Sequence, residues 1–382
     1  MEESNILAAV NTNLPPCCLR IFDDRFVIVG TYDLDKPTGK RTGSLDVYDK
    51  DLVLLKSYSC YSAILDLKLS PFDNTLIITG HSTGNIIFWR ILNSFDSNNV
   101  EVEQVSNLQV FDIATLITSM HFSPLDPTLV LVTATSGEAV SINIETGDIG
   151  FTSQNLKDLY SKIETKYYEV QGNTINATEI HPGYFSNQHS LECWTGEFGH
   201  LQPLQNVVFT GGDDATIMAH DLRSNDIIWS NNRIHEAGVV GIKCSTDTFR
   251  TSNNTSIITG SYDDNIRSLD LRMFGEDSIY PGINTPAAKI RSFNLEGGVW
   301  RFSENPNNVN TSKNELMVCC MYNGAKIISI NASQVENDDE YFKQVAYLKK
   351  GHESMCYGGD WSKEFVVTCS FYDKSLQKWN PY

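Results

Sequence analysis

The chain has 382 residues, a formal net charge of −18 and 41% hydrophobic residues. The acidic surplus argues against a partner held through a phosphate backbone, because nucleic-acid binders carry basic patches. It serves either plain solubility or the steering of a basic or cationic partner.

The first residues, Met-Glu-Glu, are unlike a secretory leader. They are followed by Ile6-Leu-Ala-Ala-Val10, an apolar stretch of strand character. Beyond it one pattern is written seven times. The first copy is split, with Gly30-Thr-Tyr-Asp33 before an insertion and Gly43 to Asp49 after it. The others are Gly80 to Arg90, Thr133 to Asn143 (a looser fit), Gly211 to Asp221, Gly260 to Asp270, Met321 to Asn331 and Ser370 to Asn380. Each reads as strand, tight polar turn, strand. Each closes on a large or apolar residue (Tyr48, Trp89, Ile142, His220, Leu269, Ile330, Trp379) followed by Asp, Asn or Arg.

Repeats of about 40–45 residues with four strands and a Trp-Asp signature mark propeller blades. The pattern resembles the WD40 family, and the longer steps read as loop insertions. It predicts an all-β, seven-bladed WD40 β-propeller spanning residues 1–382 as a single domain. In the fifth blade, Val239–Cys244, Ser256–Gly260, Asn265–Leu271 and Ala288–Phe293 alternate as half-buried strands do. The sequence stops at Tyr382, after the third strand of the last blade. Ile6–Val10 is therefore expected to supply the missing fourth strand and close the ring, covering an exposed edge. The longest step, between the third and fourth blades, holds an insertion at about 153–188. Leu156, Leu159, Tyr160, Ile163 and Tyr167 recur at helical spacing and predict a helix over Ser153–Glu169. Asn173–Gln188, Asn93–Glu103 and Asn305–Asn314 read as polar loops.

No stretch approaches the roughly 18 apolar residues of a membrane span. The nine cysteines include adjacent pairs, Cys17-Cys18 and Cys319-Cys320, and no metal-ligand spacing. They read as buried reduced thiols of a cytoplasmic protein. No metal or cofactor is expected, and the protein is expected to be monomeric.

Three histidines share one register. His189, His235 and His352 each lie four residues before the first inward strand residue, Cys193, Val239 and Cys356. The matching turn aspartates are Asp214, Asp263 and Asp373, with Thr210, Thr259 and Cys369 at the strand position. Such a set braces a blade, or one pair of it acts as a general base, since a buried Asp orients an imidazole well. Gly80-His-Ser-Thr-Gly84 matches the nucleophile-elbow pattern, but a strand-to-strand turn lacks the strand-to-helix geometry that Ser82 would need.

Other residues are not demanded by the repeat. Asp213, Tyr262 and Tyr372 precede the turn aspartates; Tyr322 and Phe371 sit on the same turns. Trp194, Trp300 and Tyr357 take the second position of inner strands. Together they place rings and carboxylates around one channel mouth, which suits a quaternary ammonium or other cation, or a bound peptide. Gly297-Gly298 and Gly358-Gly359 would let backbone approach the channel; neither forms a phosphate-cradling loop.

Six stretches go beyond a generic propeller: His189 to Phe198, Val208 to Asp214, Arg233 to Val240, Gly297-Gly-Val-Trp-Arg301, Tyr357-Gly-Gly-Asp-Trp361 and Thr368 to Asp373. With Leu14 to Leu19, they resemble the diphthine methyl ester hydrolases, the WD40 proteins of the diphthamide pathway. The resemblance implies an enzyme, a carboxylic ester hydrolase, that demethylates methylated diphthine on a histidine of translation elongation factor 2. The freed carboxylate is then amidated to diphthamide. That substrate carries a trimethylammonium group near the ester. The candidate bases are His235 with Asp213 or Asp263, and His189 with Asp214, each activating water. Arg301 or glycine N–H groups would stabilise the oxyanion. Trp194, Tyr262, Trp300, Tyr322, Tyr357, Asp360 and Tyr372 complete the candidate substrate-binding set. Ser261 and Ser370 stand as alternative nucleophiles. The competing reading is a non-enzymatic scaffold that grips a basic or methylated peptide.

Overall fold

The computed structural model describes residues 2–92, 100–143, 165–170, 172–180, 182–274, 282–308, 313–331 and 338–382. They form a seven-bladed β-propeller. The inner strands of blades 1 to 7 are Pro16–Phe22, Ile64–Leu69, Ile117–Phe122, Cys193–Phe198, Val239–Cys244, Arg301–Glu304 and Cys356–Trp361. The chain runs outward through each blade by antiparallel pairing. The repeat's closing residues end the third strands, from Tyr48 in Lys40–Asp49 to Trp379 in Ser375–Trp379. The insertion in the first copy folds as Asp33–Asp35 paired back onto the start of Lys40–Asp49.

Ile6–Asn11 is the outer strand of blade 7, with Ile6 opposite Trp379 and Asn11 opposite Ser375. The ring is thus closed by residues from both ends of the sequence, and the edge of the last blade is covered.

Packing follows the blade seams. Most of the buried apolar side chains of the described residues fall into seven clusters, each bridging two neighbouring blades. Leu19, Val27 and Val29 of blade 1, for instance, meet Phe365, Val367 and Leu376 of blade 7. A blade buries both faces only when it has neighbours on both sides, so closure and core formation are one event.

The predicted helix is corrected. Thr165–Val170 is a strand, and with Asn173–Glu179 it makes a two-stranded ribbon. The ribbon lies beside Glu101–Gln109, the outer strand of blade 2, through Leu108–Thr178 and Gln109–Glu179. Thr165, Tyr167, Tyr168 and Val170 favour a pleated surface, and exposure along 166–170 alternates with period two. The upstream part of the helix, 153–164, lies outside the described residues. The loop expected over 173–188 likewise contains the ribbon's second strand and Gly183–Tyr184, the outer strand of blade 3. Of the loop expected over 93–103, residues 101–103 are strand and 93–99 are not described. No helix among the described residues is long and apolar enough to cross a membrane.

Candidate functional site at the channel mouth

A bulge in the inner strands sets the mouth. In blades 1, 2, 3, 4, 5 and 7 the register shifts directly after the first strand residue. Cys17, Leu65, Thr118, Trp194, Val240 and Tyr357 are the extra residues. A bulge leaves one residue unpaired and re-aims its side chain. Trp300 takes the same place, just ahead of Arg301–Glu304.

Trp300 is the hub. Its ring lies 5.7 Å from Trp194 edge-on, 5.8 Å from Tyr262 nearly parallel and 5.0 Å from Tyr357. Tyr357 continues to Phe371 at 5.5 Å, and Phe371 meets Tyr372 at 4.9 Å and Tyr32 at 6.0 Å. Aromatic rings from blades 4, 5, 6, 7 and 1 thus form one contiguous wall. Tyr322 and Tyr372 stand at its outer edge, 63% and 64% exposed. Two polar groups face this wall. Trp194 Nε1 donates to Asp213 Oδ1 at 3.0 Å. Trp300 Nε1 is buried and has no hydrogen-bond partner among the described residues. Close approach depends on glycine: a Cβ on Gly238 would come within 2.8 Å of Asp213 Oδ1 and 3.0 Å of Tyr262, and one on Gly298 within 2.5 Å of Met321 Sδ.

Arg301 forms the floor. Its guanidinium crosses the channel to Asp66 Oδ1 at 3.0 Å and to the carbonyls of Thr118 at 3.3 Å and Leu65 at 3.4 Å. It sits 5.7 Å from the Trp300 ring. Burial works against the Asp66 carboxylate, but Arg301, Lys68 and Arg20 outweigh it and hold its pKa well below the usual range. Arg301 therefore reaches across to blades 2 and 3 through Nη1 and Nη2, while its buried Nε has no partner among the described residues. Asp360 also faces inward, accepting from the Ile21 N–H at 2.8 Å and from Ser303 Oγ at 2.7 Å. It ties blades 6, 7 and 1 together.

The three histidines differ from one another. His189 Nδ1 meets Asp214 Oδ1 at 3.0 Å and Nε2 meets Thr210 at 3.0 Å. Burial opposes its charge, but Cys193 and Asp214 favour it, and the ring titrates at about 9. His235 bonds Thr259 at 2.9 Å through Nε2, while its buried Nδ1 has no partner among the described residues. Burial, then Arg267, depresses it to about 3. Asp263 is taken by Arg267 at 2.8 Å and by the Glu236 N–H at 2.9 Å. No hydrogen bond joins His235 to Asp263 or Asp213. In blade 7, His352 bonds Thr368 at 2.7 Å. This corrects the expected strand position there from Cys369 to Thr368, which stands opposite Gly359 as Thr259 stands opposite Ile242. Ser82, Ser261 and Ser370 are buried and bonded within the turns.

Apart from Asp360, the inner face deeper in the channel was missed by the sequence reading. Arg20, Lys68, His121, Glu197, Lys243, Ser303 and Asp360 occupy one register position, two pleats below Cys18, Asp66, Ser119, Thr195, Gly241, Arg301 and Gly358. Counting from the same strand starts that located Trp194 and Tyr357 would have found them.

No protein-family model matches the chain. Over 99% of both sequences it is 58% identical to the diphthine methyltransferase of Saccharomyces cerevisiae. The chain belongs to the diphthine methyltransferase family. The Schizosaccharomyces pombe family member is 31% identical, over 94% of this chain and 92% of its own. The Homo sapiens member is 28% identical over 46% of this chain and 33% of its own. Among solved structures, a WD40 protein chain in the crystal structure of the mitotic checkpoint complex superposes with a TM-score of 0.65 at 12% identity, covering 100% of this chain and 93% of that one. That likeness carries the fold.

Proposed function

We propose that the chain acts in diphthamide biosynthesis and hydrolyses the methyl ester of methylated diphthine carried on a histidine of translation elongation factor 2. The observation that carries this reading, beside family membership, is the aromatic wall of Trp194, Tyr262, Trp300 and Tyr357 with the Asp213 carboxylate on it. The ring faces attract a quaternary ammonium, and the ester of this substrate lies close to its trimethylammonium group. Tyr322 and Tyr372 line the approach.

Among the candidate bases we assign the role to Asp213. Asp214 and Asp263 are committed to His189 and Arg267. His189 is held as a cation and His235 is sealed in its turn. Asp213 Oδ1 is fixed by Trp194, and Oδ2 takes no hydrogen bond among the described residues. Water attacks the ester carbonyl as Asp213 accepts its proton. The oxyanion takes the Trp300 N–H, which bonds nothing else among the described residues and is uncovered by a shift of the ring on substrate binding. The acyl–oxygen bond then breaks, and methanol leaves with the proton returned by Asp213.

Purified protein and elongation factor 2 carrying methylated diphthine are sufficient for the test. Stoichiometric methanol release supports the reading. Tight binding without methanol release would leave the scaffold reading in its place.

A further inference from the structure

Beyond the Arg301 floor, toward the far end of the channel, lies a chamber of about 270 Å³. Arg20, Lys68, His121, Lys243 and Arg301 line it, together with the carboxylates of Glu197 and Glu304. The rim there is made by segments following the inner strands, including the exposed Pro71. A cation-rich chamber stands against the trend of a chain whose net charge is −18.

Its two walls are balanced differently. On one side Lys243 pairs with Glu304 at 2.8 Å, and Glu197 accepts from His200 at 3.1 Å. On the other, Lys68 at 3.2 Å and Arg301 at 3.0 Å share the single carboxylate of Asp66. Arg20, beside them, donates Nη1 to the Leu19 carbonyl at 2.8 Å and makes no ion pair among the described residues. Three cations from blades 1, 2 and 6 therefore face one carboxylate. Lys68 registers the imbalance. Burial lowers it, Asp66 supports it, and Arg20 and Arg301 lower it further, to about 8. On blade 3, His121 is kept neutral, at about 3, chiefly by burial and then by Lys68. Its Nδ1 lies 3.7 Å from Glu197 Oε2, and its buried Nε2 has no partner among the described residues.

We propose that this chamber binds a small oxyanion of the phosphate or carboxylate class, held by Arg20, Lys68 and Arg301 with the His121 ring beside it. Charge-assisted bonds from guanidinium and ammonium groups suit such an anion. An anion here also supplies the negative charge that the blade 1, 2 and 6 wall lacks. The chamber is bounded toward the aromatic mouth by Trp300 and Arg301, and its anion binding is measured without reference to ester turnover.

The test titrates the full chain with sodium phosphate and, separately, sodium acetate, at constant ionic strength set by sodium chloride. Heat of binding and melting temperature are followed together. A ligand that binds only the native state raises the melting temperature. Saturable binding of either anion is expected. Binding of phosphate alone or acetate alone supports the site and fixes its class. Arg20→Gln and Lys68→Met should each weaken binding about tenfold or more, whereas Lys56→Gln on the outer surface should not. Lys68→Arg should retain it. No effect of either anion beyond that of chloride overturns the proposal. So does unchanged affinity in folded Arg20→Gln and Lys68→Met protein. The wild-type titration decides the matter even if one variant does not fold.

Discussion

Asp213 keeps one oxygen bound to the Trp194 indole, and the other takes no hydrogen bond among the described residues. Asp213→Asn retains the acceptor for Trp194 but not the basicity. It is expected to cut methanol release by about 10²- to 10⁴-fold with the near-ultraviolet circular dichroism unchanged. His235→Gln removes a ring bonded to Thr259. It should lower the melting temperature and leave turnover per folded molecule nearly intact; a large loss of normalised turnover would return the base to His235. At Trp300 two substitutions separate two roles. Trp300→Ala should weaken binding of the ammonium substrate by about 1–2 kcal/mol and spare a neutral isostere. Trp300→Phe keeps a ring and loses the N–H, so it should lower kcat more than it raises KM. Equal losses for charged and neutral ligands in Trp300→Ala would make the residue structural. The register of these residues was legible because a bulge recurs at one strand position. Their bonding was not. Whether His235 meets Asp263 depends on Arg267, four residues further along the same strand pair, which takes the carboxylate first. Arg301 is likewise drawn across the channel by Asp66, which lies 235 positions away in sequence.

Ile6–Asn11 alternates half-buried and exposed residues, and only its pairing with Ser375–Trp379 protects the edge of blade 7. Deleting residues 1–12 removes that ladder and also the bond from the Thr12 N–H to the Lys374 carbonyl. The melting temperature is expected to fall by more than about 4 °C, with increased aggregation as the bared strand finds other edges. An unchanged melting curve would show that closure contributes nothing. This strand could be read from sequence because the last blade was visibly one strand short. The ribbon of Thr165–Val170 and Asn173–Glu179 could not. Its apolar residues fit a helical period as well as a strand's, and what decides is the outer strand of blade 2, available to pair with Thr178 and Glu179. Short apolar runs carry that ambiguity until a partner is known.

Seven seams make the propeller one cooperative object, and its buried histidines make that object sensitive to acid. His81, His121, His220 and His235 titrate at about 3 and His352 at about 4, each lowered chiefly by burial. In the unfolded chain a histidine titrates at about 6.5. Between these limits the unfolded state binds more protons than the native state, so stability falls as pH falls below about 6.5. Glu197, held near 2 by Lys243 against the cost of burial, adds a further loss below its unfolded value of about 4.3. His189 acts in the opposite sense: raised to about 9, its stabilisation is full below about 6.5 and is lost as pH rises through 9. Stability should therefore be greatest near neutral pH and should decline markedly by pH 5, before most carboxylates titrate. Urea unfolding at pH 7, 6 and 5 measures the slope. Each neutral histidine contributes up to about 1.4 kcal/mol per pH unit, so His352→Gln, though less stable at pH 7, should show a shallower decline than the wild type. A stability that stays flat from pH 7 to pH 5 would mean that these rings gain protons without unfolding and that the seams are more open to water than their burial implies.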